Sequence, residues 1–157
     1  GVLQHTPYVK KAVKSLSLKL KSGGLFCIDF YEKSFKSMLL PKYWLRPFTK
    51  KIKKEKLLAI LQKRIDMLLI TSKYLKKIPF IGNLLARIVP VADYSDILPL
   101  SKTQIREWAI LDTFDWLTPT YDNPQTRKSI YDWLKELDFQ KIEVLKESHI
   151  VGRGIKK

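Results

Sequence analysis

A helical pattern, a glycine pair and a short apolar run follow one another over residues 6–31, and this order constrains the fold more than any other feature. The stretch opens on Thr-Pro, which is typical of a helix start because a hydroxyl caps the first turn and proline suits the first helical position. Gly23-Gly24 predicts the end of that helix. The run Leu25–Tyr31 is aromatic and almost entirely apolar, as expected of a strand covered on both faces. Together they predict half of a β-α-β unit, with Gly1–Leu3 as the end of the preceding strand.

Size and composition indicate one domain with a core, since the chain has 157 residues and 45% of them are apolar. Because no run of about 18 uninterrupted apolar residues occurs, we expect no membrane-spanning helix. These residues contain no secretory signal pattern, and we expect a cytoplasmic protein that is either free or peripheral at the membrane. Cys27 is the only cysteine, which excludes an internal disulfide, and its apolar neighbours predict a buried thiol.

The net charge of +15 is large, and such a field attracts the phosphates of nucleic acids and anionic lipids. The basic residues are mostly Lys, however, whereas base readout and bidentate phosphate clamps favour Arg. The charge is therefore a weak indication of partners, and we do not expect nucleic acid to be the main one.

The middle of the chain, residues 32–111, differs in character and predicts a helical insertion or lid. Its longest segment spaces Leu and Ile at helical intervals and places Lys on the other face. The predicted pieces are an aromatic loop at 41–48, an amphipathic helix at 53–77, a short apolar helix at 78–90 and a helix from a Ser101/Gln104 capping box towards Leu111.

Regular α/β order returns after an aromatic loop at residues 112–124. Asn123-Pro124 resembles a cap followed by proline and predicts a helix start. The predicted features that follow are a helix face formed by Ile130, Trp133, Leu134 and Leu137, a strand at 141–147 and a last strand at 149–157.

Two segments of this sequence carry a family resemblance. The first is GVLQHTP with the helix, KSGG and LFCIDFY that follow it, and the second is DTFDWLTPTYDNPQTRKSIYDWLKELDFQKIEV. They resemble class I S-adenosylmethionine-dependent methyltransferases. The first is similar to that family's GVLHHTPD … LKPGG segment, from the end of strand four to strand five. The second is similar to its late aromatic loop, last helix and strand six, after which strand seven runs antiparallel to its neighbours.

The resemblance covers about residues 1–31 and 111–157, and it implies an α/β fold. The fold expected is a partial Rossmann-like methyltransferase sheet, from the end of strand four to strand seven, with a helical insertion or lid after strand five. The domain boundaries expected are 1–31, 32–111 and 112–157. The activity implied is transfer of a methyl group from S-adenosylmethionine to a small-molecule acceptor, such as a lipid- or sugar-linked one.

The sequence also departs from the family pattern. Gln4 stands where His is common, Tyr8 where Asp is common, and Leu137-Asp138 replaces a small residue followed by Gly. The Gly-rich turn that grips the cofactor is missing, and the late Gly152-Arg153-Gly154 opens no helix. We therefore expect an N-terminally truncated fragment that binds the cofactor weakly or not at all, and is inactive, on its own.

By resemblance, the loop formed by Leu3, Gln4, His5 and Thr6 lies beside the methionine part of S-adenosylmethionine and the transferred methyl group. His5 is the candidate catalytic residue, because an imidazole can act as a general base on a substrate hydroxyl near neutral pH. The alternative is that His5 only shapes the loop and that Thr6 only caps the helix.

The candidate substrate-binding residues follow the strand and lie in the aromatic loop. Asp29 and Tyr31 lie near the carboxyl end of the predicted strand five, where ligands bind in open α/β sheets. Asp29 either faces the active-site crevice or pairs with a lysine of the lid. Asp115, Trp116 and Tyr121 either wall a substrate pocket or fix the loop to the core.

No cluster of His, Asp and Glu has the spacing of metal ligands, so we predict no metal. The insertion combines Lys, Leu and Ile with Tyr43-Trp44, a composition that suits a helix lying on anionic membrane. Its alternative is a helix packed on the domain with a solvated basic face. The alternative function is accordingly a non-catalytic basic module that binds anionic membrane or nucleic acid through this insertion.

Overall fold

The computed structural model describes the backbone of residues 1–157 and every side chain except that of Lys36. The chain forms two compact units. The α/β unit combines the two ends of the chain, Gly1–Met38 and Thr120–Lys157, and the helical unit is Leu39–Pro119. The insertion predicted at 32–111 corresponds to this helical unit, which begins and ends several residues later.

The α/β unit contains both helices and strands, and the other unit contains only helices. In chain order they are a 3-10 helix (Leu3–His5), α1 (Val9–Ser17), β1 (Leu25–Phe30), α2 (Phe35–Met38), α3 (Pro41–Thr49), α4 (Lys54–Lys76), α5 (Gly82–Ala86), α6 (Lys102–Leu117), α7 (Arg127–Glu136), β2 (Phe139–Lys146) and β3 (Ile150–Lys156). The protein is therefore a mixed α/β structure.

The three strands form one sheet in the order β1-β3-β2, and β3 is antiparallel to both of its neighbours. The prediction that the last strand runs antiparallel to its neighbours is confirmed. Phe30 at the end of β1 pairs with Ile150 at the start of β3, and Ile150 also pairs with Lys146 at the end of β2. The carboxyl ends of β1 and β2 therefore lie at the same end of the sheet.

Helices α1 and α7 contribute to the core on one face of this sheet. Ile28 and Phe30 of β1 share a buried cluster with Val13 of α1 and Ile130 of α7. A Cβ atom at Gly152 of β3 would lie 2.4 Å from Cγ2 of Ile130. Glycine at this position therefore allows α7 to pack directly against the middle strand.

The other face of the sheet carries exposed side chains. Leu25 is 67% exposed, Cys27 is exposed, and an ion pair between Arg153 and Glu143 lies on the strands beside it. The predictions of a strand covered on both faces and of a buried thiol are therefore wrong. An apolar run requires one buried face, but it does not reveal whether a second layer covers the other.

Two helices begin later than the sequence predicted, because the predicted caps make other contacts. Thr6 follows the 3-10 helix, and its hydroxyl donates to the carbonyl of Leu3 at 2.8 Å, so its predicted role as cap of α1 is wrong. The Asn123 side chain donates to the carbonyl of Thr6 at 2.9 Å. Helix α7 is capped instead by Thr126, in a capping box with the serine three residues later.

The helical unit has its own core between α4 and α6. Its buried apolar side chains are Leu57, Leu61, Ile65, Val91, Ala109, Ile110 and Leu117. The helix predicted at 53–77 is confirmed as α4, and the predicted capping box is confirmed, with Ser101 Oγ accepting from the Gln104 N–H at 3.3 Å. Among the helices described, none combines the length and the hydrophobicity needed to cross a membrane.

Two predicted loops of this region are helical. The aromatic loop predicted at 41–48 is helix α3, and Pro41 lies in its first turn. An N–H at that position would have no partner within the helix, so proline is tolerated there. The loop predicted to begin at residue 112 is helical as far as Leu117. We attribute the helical structure of these two segments to tertiary packing, since α3 contacts α6 within the unit.

The end of α6 is held by polar groups from α3. Buried Arg46 donates from Nε to the carbonyl of Trp116 at 2.6 Å, and the Thr49 hydroxyl donates to the carbonyl of Leu117 at 2.8 Å. The last carbonyls of a helix have no partner within it. These two donors therefore satisfy groups that the helix itself leaves unpaired.

A carboxylate near the end of α4 is strongly bonded inside the helical unit. Only 6% of the Asp93 side chain is exposed, and it contacts Lys76 Nζ at 2.8 Å and the hydroxyls of Ser72 at 2.7 Å and Ser95 at 2.6 Å. Burial acts to raise the pKa of Asp93, but the hydrogen bonds from Lys76, Ser95 and Ser72 outweigh it and lower the pKa from 3.8 to about 2.

This pKa predicts an acid-sensitive helical unit. Because the folded pKa of Asp93 lies below the unfolded value, its contribution is fully present above about pH 4 and is lost as the pH falls towards the folded value. The shift corresponds to about 2 kcal/mol of unfolding free energy. Urea unfolding followed by circular dichroism, from about pH 5 to about pH 2, measures it.

Asp93→Asn should flatten this acid dependence and lower stability at neutral pH. The matched control is Asp66→Asn, which removes a carboxylate that pairs with Arg106 on the exposed surface. If Asp93→Asn and Asp66→Asn give the same acid profile as the unchanged chain, the predicted contribution of Asp93 is wrong.

Candidate functional site

A buried glutamine joins three segments at the carboxyl end of β1. Gln4 is fully buried, and its Oε1 accepts from the N–H of Tyr31 at 2.9 Å while its Nε2 donates to the carbonyl of Gly1 at 2.9 Å. Its own carbonyl accepts from the N–H of Asn123 at 2.9 Å. Gln4 therefore fixes the first residues of the chain, the end of β1 and the segment before α7 relative to one another.

The segment 121–125 lies along the end of β1 and is held there by backbone bonds. The N–H of Gln125 donates to the carbonyl of Tyr31 at 2.9 Å, and the N–H of Lys33 donates to the carbonyl of Gln125 at 2.8 Å. These bonds form a short parallel pairing between Glu32 and Gln125. The segment therefore continues the hydrogen bonding of the sheet beyond the end of the strand.

The hydrogen bond of His5 determines which ring nitrogen carries the proton. His5 is half-buried, and its Nδ1 lies 2.9 Å from the carbonyl oxygen of Tyr121. A carbonyl oxygen can only accept, so Nδ1 must be the donor in this bond. Nε2 of the neutral ring then carries the lone pair that a general base needs.

The protein's two histidines both lie against the ring of Tyr31. The His5 ring is edge-on to Tyr31 with 6.3 Å between centroids, and the His149 ring lies 5.2 Å away at an interplanar angle of 32°. His149 comes from the turn between β2 and β3. Two imidazoles and a phenol ring are thus gathered where β1 and β2 end.

Sequence reasoning missed His149, which it included in the last predicted strand at 149–157 without giving it a role. The available signal was its position at the start of that strand. Since β3 is antiparallel to β1, the start of β3 must lie beside the end of β1, and so beside Tyr31.

Asp29 lies at the same end of β1 but is half exposed, with 48% of its side chain accessible. Its carboxylate accepts a hydrogen bond from the backbone nitrogen of Gly1. The partner that the structure gives it is thus Gly1 rather than a lysine of the helical unit. Its assignment to a substrate site stays a prediction.

The other predicted substrate residues are divided between the two units. Tyr121 is exposed and belongs to the α/β unit, where its carbonyl orients His5. Asp115 and Trp116 lie in the last turn of α6, in the helical unit, so their predicted position in a loop is wrong. Trp116 has the ammonium group of Lys42 6.0 Å from its ring centroid. The role of these residues in substrate binding stays a prediction.

The remaining predicted cofactor contacts serve the local structure. Leu3 is half-buried and packs against the core of the α/β unit, and Thr6 closes the 3-10 helix through its hydroxyl. Among the side chains that the structure describes, no three of His, Cys, Asp or Glu converge to hold a metal ion. The polar group of the loop best placed for chemistry is therefore the imidazole of His5.

No protein-family model matches the chain, and neither a curated protein nor a solved structure is significantly similar to it. The chemistry of the site therefore rests on the geometry of His5, Tyr31 and His149 and on the resemblance of the two sequence segments.

Replacing Gln4 by alanine should destabilise the α/β unit. The change removes the acceptor of the part-buried Tyr31 N–H, and loss of one partner of a buried hydrogen bond costs up to about 1–3 kcal/mol. Urea unfolding of Gln4→Ala measures the loss. The control is Ser15→Ala, because that exposed hydroxyl bonds only to the preceding turn of α1. Equal stability of the two variants would contradict the role given to Gln4.

The tautomer of His5 can be read directly. A long-range nitrogen–proton NMR spectrum of the neutral ring should show the proton on Nδ1 of His5, because the Tyr121 carbonyl demands a donor there. His149 provides an internal reference in the same spectrum. A proton on Nε2 of His5 would mean that this hydrogen bond is absent in solution.

Proposed function

We propose that the α/β unit forms the acceptor side of the active site of an S-adenosylmethionine-dependent methyltransferase, with His5 as the general base. The acceptor would be a small molecule with a hydroxyl group, such as a lipid- or sugar-linked one. In this proposal the sheet of the unit is part of a Rossmann-like methyltransferase sheet, and β1, β2 and β3 are its strands five, six and seven.

The observation that carries this proposal is the place of the GVLQHTP segment at the carboxyl end of β1. Ligands of open α/β sheets bind at that end of the strands. His5 and Tyr31 from the first quoted segment meet Tyr121 from the second there. Support also comes from β3, which is antiparallel to both neighbours as the resemblance implies for strand seven.

The geometry of His5 suits removal of a proton from an acceptor hydroxyl. The Tyr121 carbonyl holds the ring with Nδ1 protonated, so Nε2 can take the hydroxyl proton as the acceptor oxygen becomes a nucleophile. The same carbonyl then stabilises the imidazolium through its hydrogen bond. The ring of Tyr31 lies edge-on to the imidazole of His5, and the ring of His149 lies against Tyr31 in turn.

The described residues fit the acceptor side of such a site better than the cofactor side. Gln4 was predicted to contact the cofactor, but both the oxygen and the nitrogen of its side-chain amide form hydrogen bonds within the protein. S-adenosylmethionine, when bound, supplies an activated methyl group with its own leaving group, so orientation of the acceptor can provide much of the catalysis. We therefore assign to this chain the binding, orientation and deprotonation of the acceptor.

The test uses the protein expressed from the full reading frame that contains residues 1–157, whatever its extent. This protein should bind S-adenosylmethionine with micromolar affinity by calorimetry, whereas the 157-residue chain should bind it weakly or not at all. With a small-molecule extract of the source cells as acceptor, it should release S-adenosylhomocysteine. His5→Gln should reduce that release by about 10²–10⁴-fold while leaving cofactor affinity unchanged, because only proton transfer is lost.

The control variant is Lys135→Gln, an exposed position on α7, which should keep the rate. Failure of the full protein to bind S-adenosylmethionine would refute the methyltransferase. Binding and turnover that survive His5→Gln within about twofold would leave the methyltransferase but refute the base.

A further inference from the structure

The corner between α4 and α5 exposes an unusual group of apolar side chains. We call residues 73–88 the tip. Phe80 is fully exposed, and its neighbours on the tip are more than a third exposed. The exposed apolar side chains of the tip are Tyr74, Ile78, Phe80, Ile81, Leu84 and Ile88. Exposed apolar side chains concentrated in one short segment are typical of interaction surfaces.

The tip is an ordered part of the fold. The N–H of Gly82 donates to the carbonyl of Ile78 at 3.0 Å, and the N–H of Ile81 donates to that of Pro79 at 2.7 Å. A Cβ atom at Gly82 would lie 2.4 Å from the carbonyl oxygen of Leu75, so α5 is packed closely against the end of α4. The apolar side chains are therefore presented by a defined backbone.

Phe80 is held in a backbone conformation that a bulky side chain rarely adopts. Its φ is 64°, in the left-handed region that favours glycine. Such strain persists only where the surrounding structure imposes it, and it is concentrated at functional positions. The Phe80 ring is not buried within the chain, so no burial offsets the backbone strain or the exposure of its apolar surface. An apolar environment outside the chain would bury it.

Positive charge surrounds the apolar side chains. Lys73, Lys77 and Arg87 are exposed, and Lys77 Nζ lies 5.2 Å from the centroid of the Tyr74 ring. No Asp or Glu occurs between residues 67 and 92, and the neighbouring Asp93 and Asp96 both pair with Lys76. Basic side chains around an apolar centre match the surface of an anionic bilayer, where lipid head groups surround hydrocarbon.

The same charges disfavour the other occupants of such a surface. A second copy of the chain would bring two like-charged rims together, which is repulsive. A nucleic acid would pair with Lys73, Lys77 and Arg87 and could stack a base on Phe80, but it would leave the exposed aliphatic side chains of the tip in water.

From these observations we propose that the tip inserts into an anionic membrane, with Phe80 at the level of the acyl chains and Lys73, Lys77 and Arg87 at the head groups. Attachment through this surface concerns the helical unit and does not depend on the chemistry proposed for the α/β unit. It would place a membrane-bound or membrane-derived molecule within reach of the protein.

The experiment is cosedimentation of the intact chain with phosphatidylcholine vesicles, with and without about 30% phosphatidylserine, at about 0.1 M salt. Binding should require phosphatidylserine. Phe80→Ser should weaken it about tenfold or more, because one buried aromatic side chain is lost, and Lys77→Glu should weaken it through charge. As Phe80 is fully exposed, its replacement should leave the fold intact, which circular dichroism checks.

The matched controls are Phe35→Ser, at an 81% exposed position of the α/β unit, and Lys135→Glu on α7. Both should bind within about twofold of the unchanged chain once salt has screened general charge effects. Equal binding by Phe80→Ser and Phe35→Ser would overturn the proposal and indicate non-specific attraction by net charge. Absence of binding to phosphatidylserine vesicles, or self-association abolished by Phe80→Ser, would overturn it as well.

Discussion

The candidate site depends on one side-chain amide at the end of β1. The N–H that follows β1 needs an acceptor. Gln4 offers that acceptor from its side chain while its backbone carbonyl receives the segment before α7. A carboxamide has the same donor and acceptor as a peptide group, so it can continue a hydrogen-bond network where the backbone cannot. That connection helps to fix His5 relative to Tyr31.

Structural features could be predicted from the sequence where they depend on residues that are close together in the chain. The helical spacing of Leu and Ile predicts α4, and the Ser101/Gln104 pair predicts the start of α6, because both effects operate within a few residues. The same local rules failed at Thr6 and Asn123. Each has the chemistry of a helix cap, but each uses its side chain in the contacts that hold the first residues of the chain in place.

The site itself depends on contacts that no local pattern contains. Gln4 was predicted to touch a ligand, and its burial follows from bonds to residues 31 and 123, far away in the sequence. His149 has no motif around it, and only the register of β3 brings it to Tyr31. The apolar residues around Phe80 are spaced as they would be in a core helix or in a surface helix. The sequence pattern therefore does not reveal that the Phe80 side chain is exposed.

The order of the strands also has a consequence for how the chain is made. β3 lies between β1 and β2, but it is the last of the three to be synthesised. When β1 leaves the ribosome β3 does not yet exist, and the contiguous helical unit has all the residues of its own core before β3 is made. Domains generally fold as units during synthesis. The helices should therefore assemble first on the ribosome, while β1 stays exposed to chaperones until the last residues of β3 emerge.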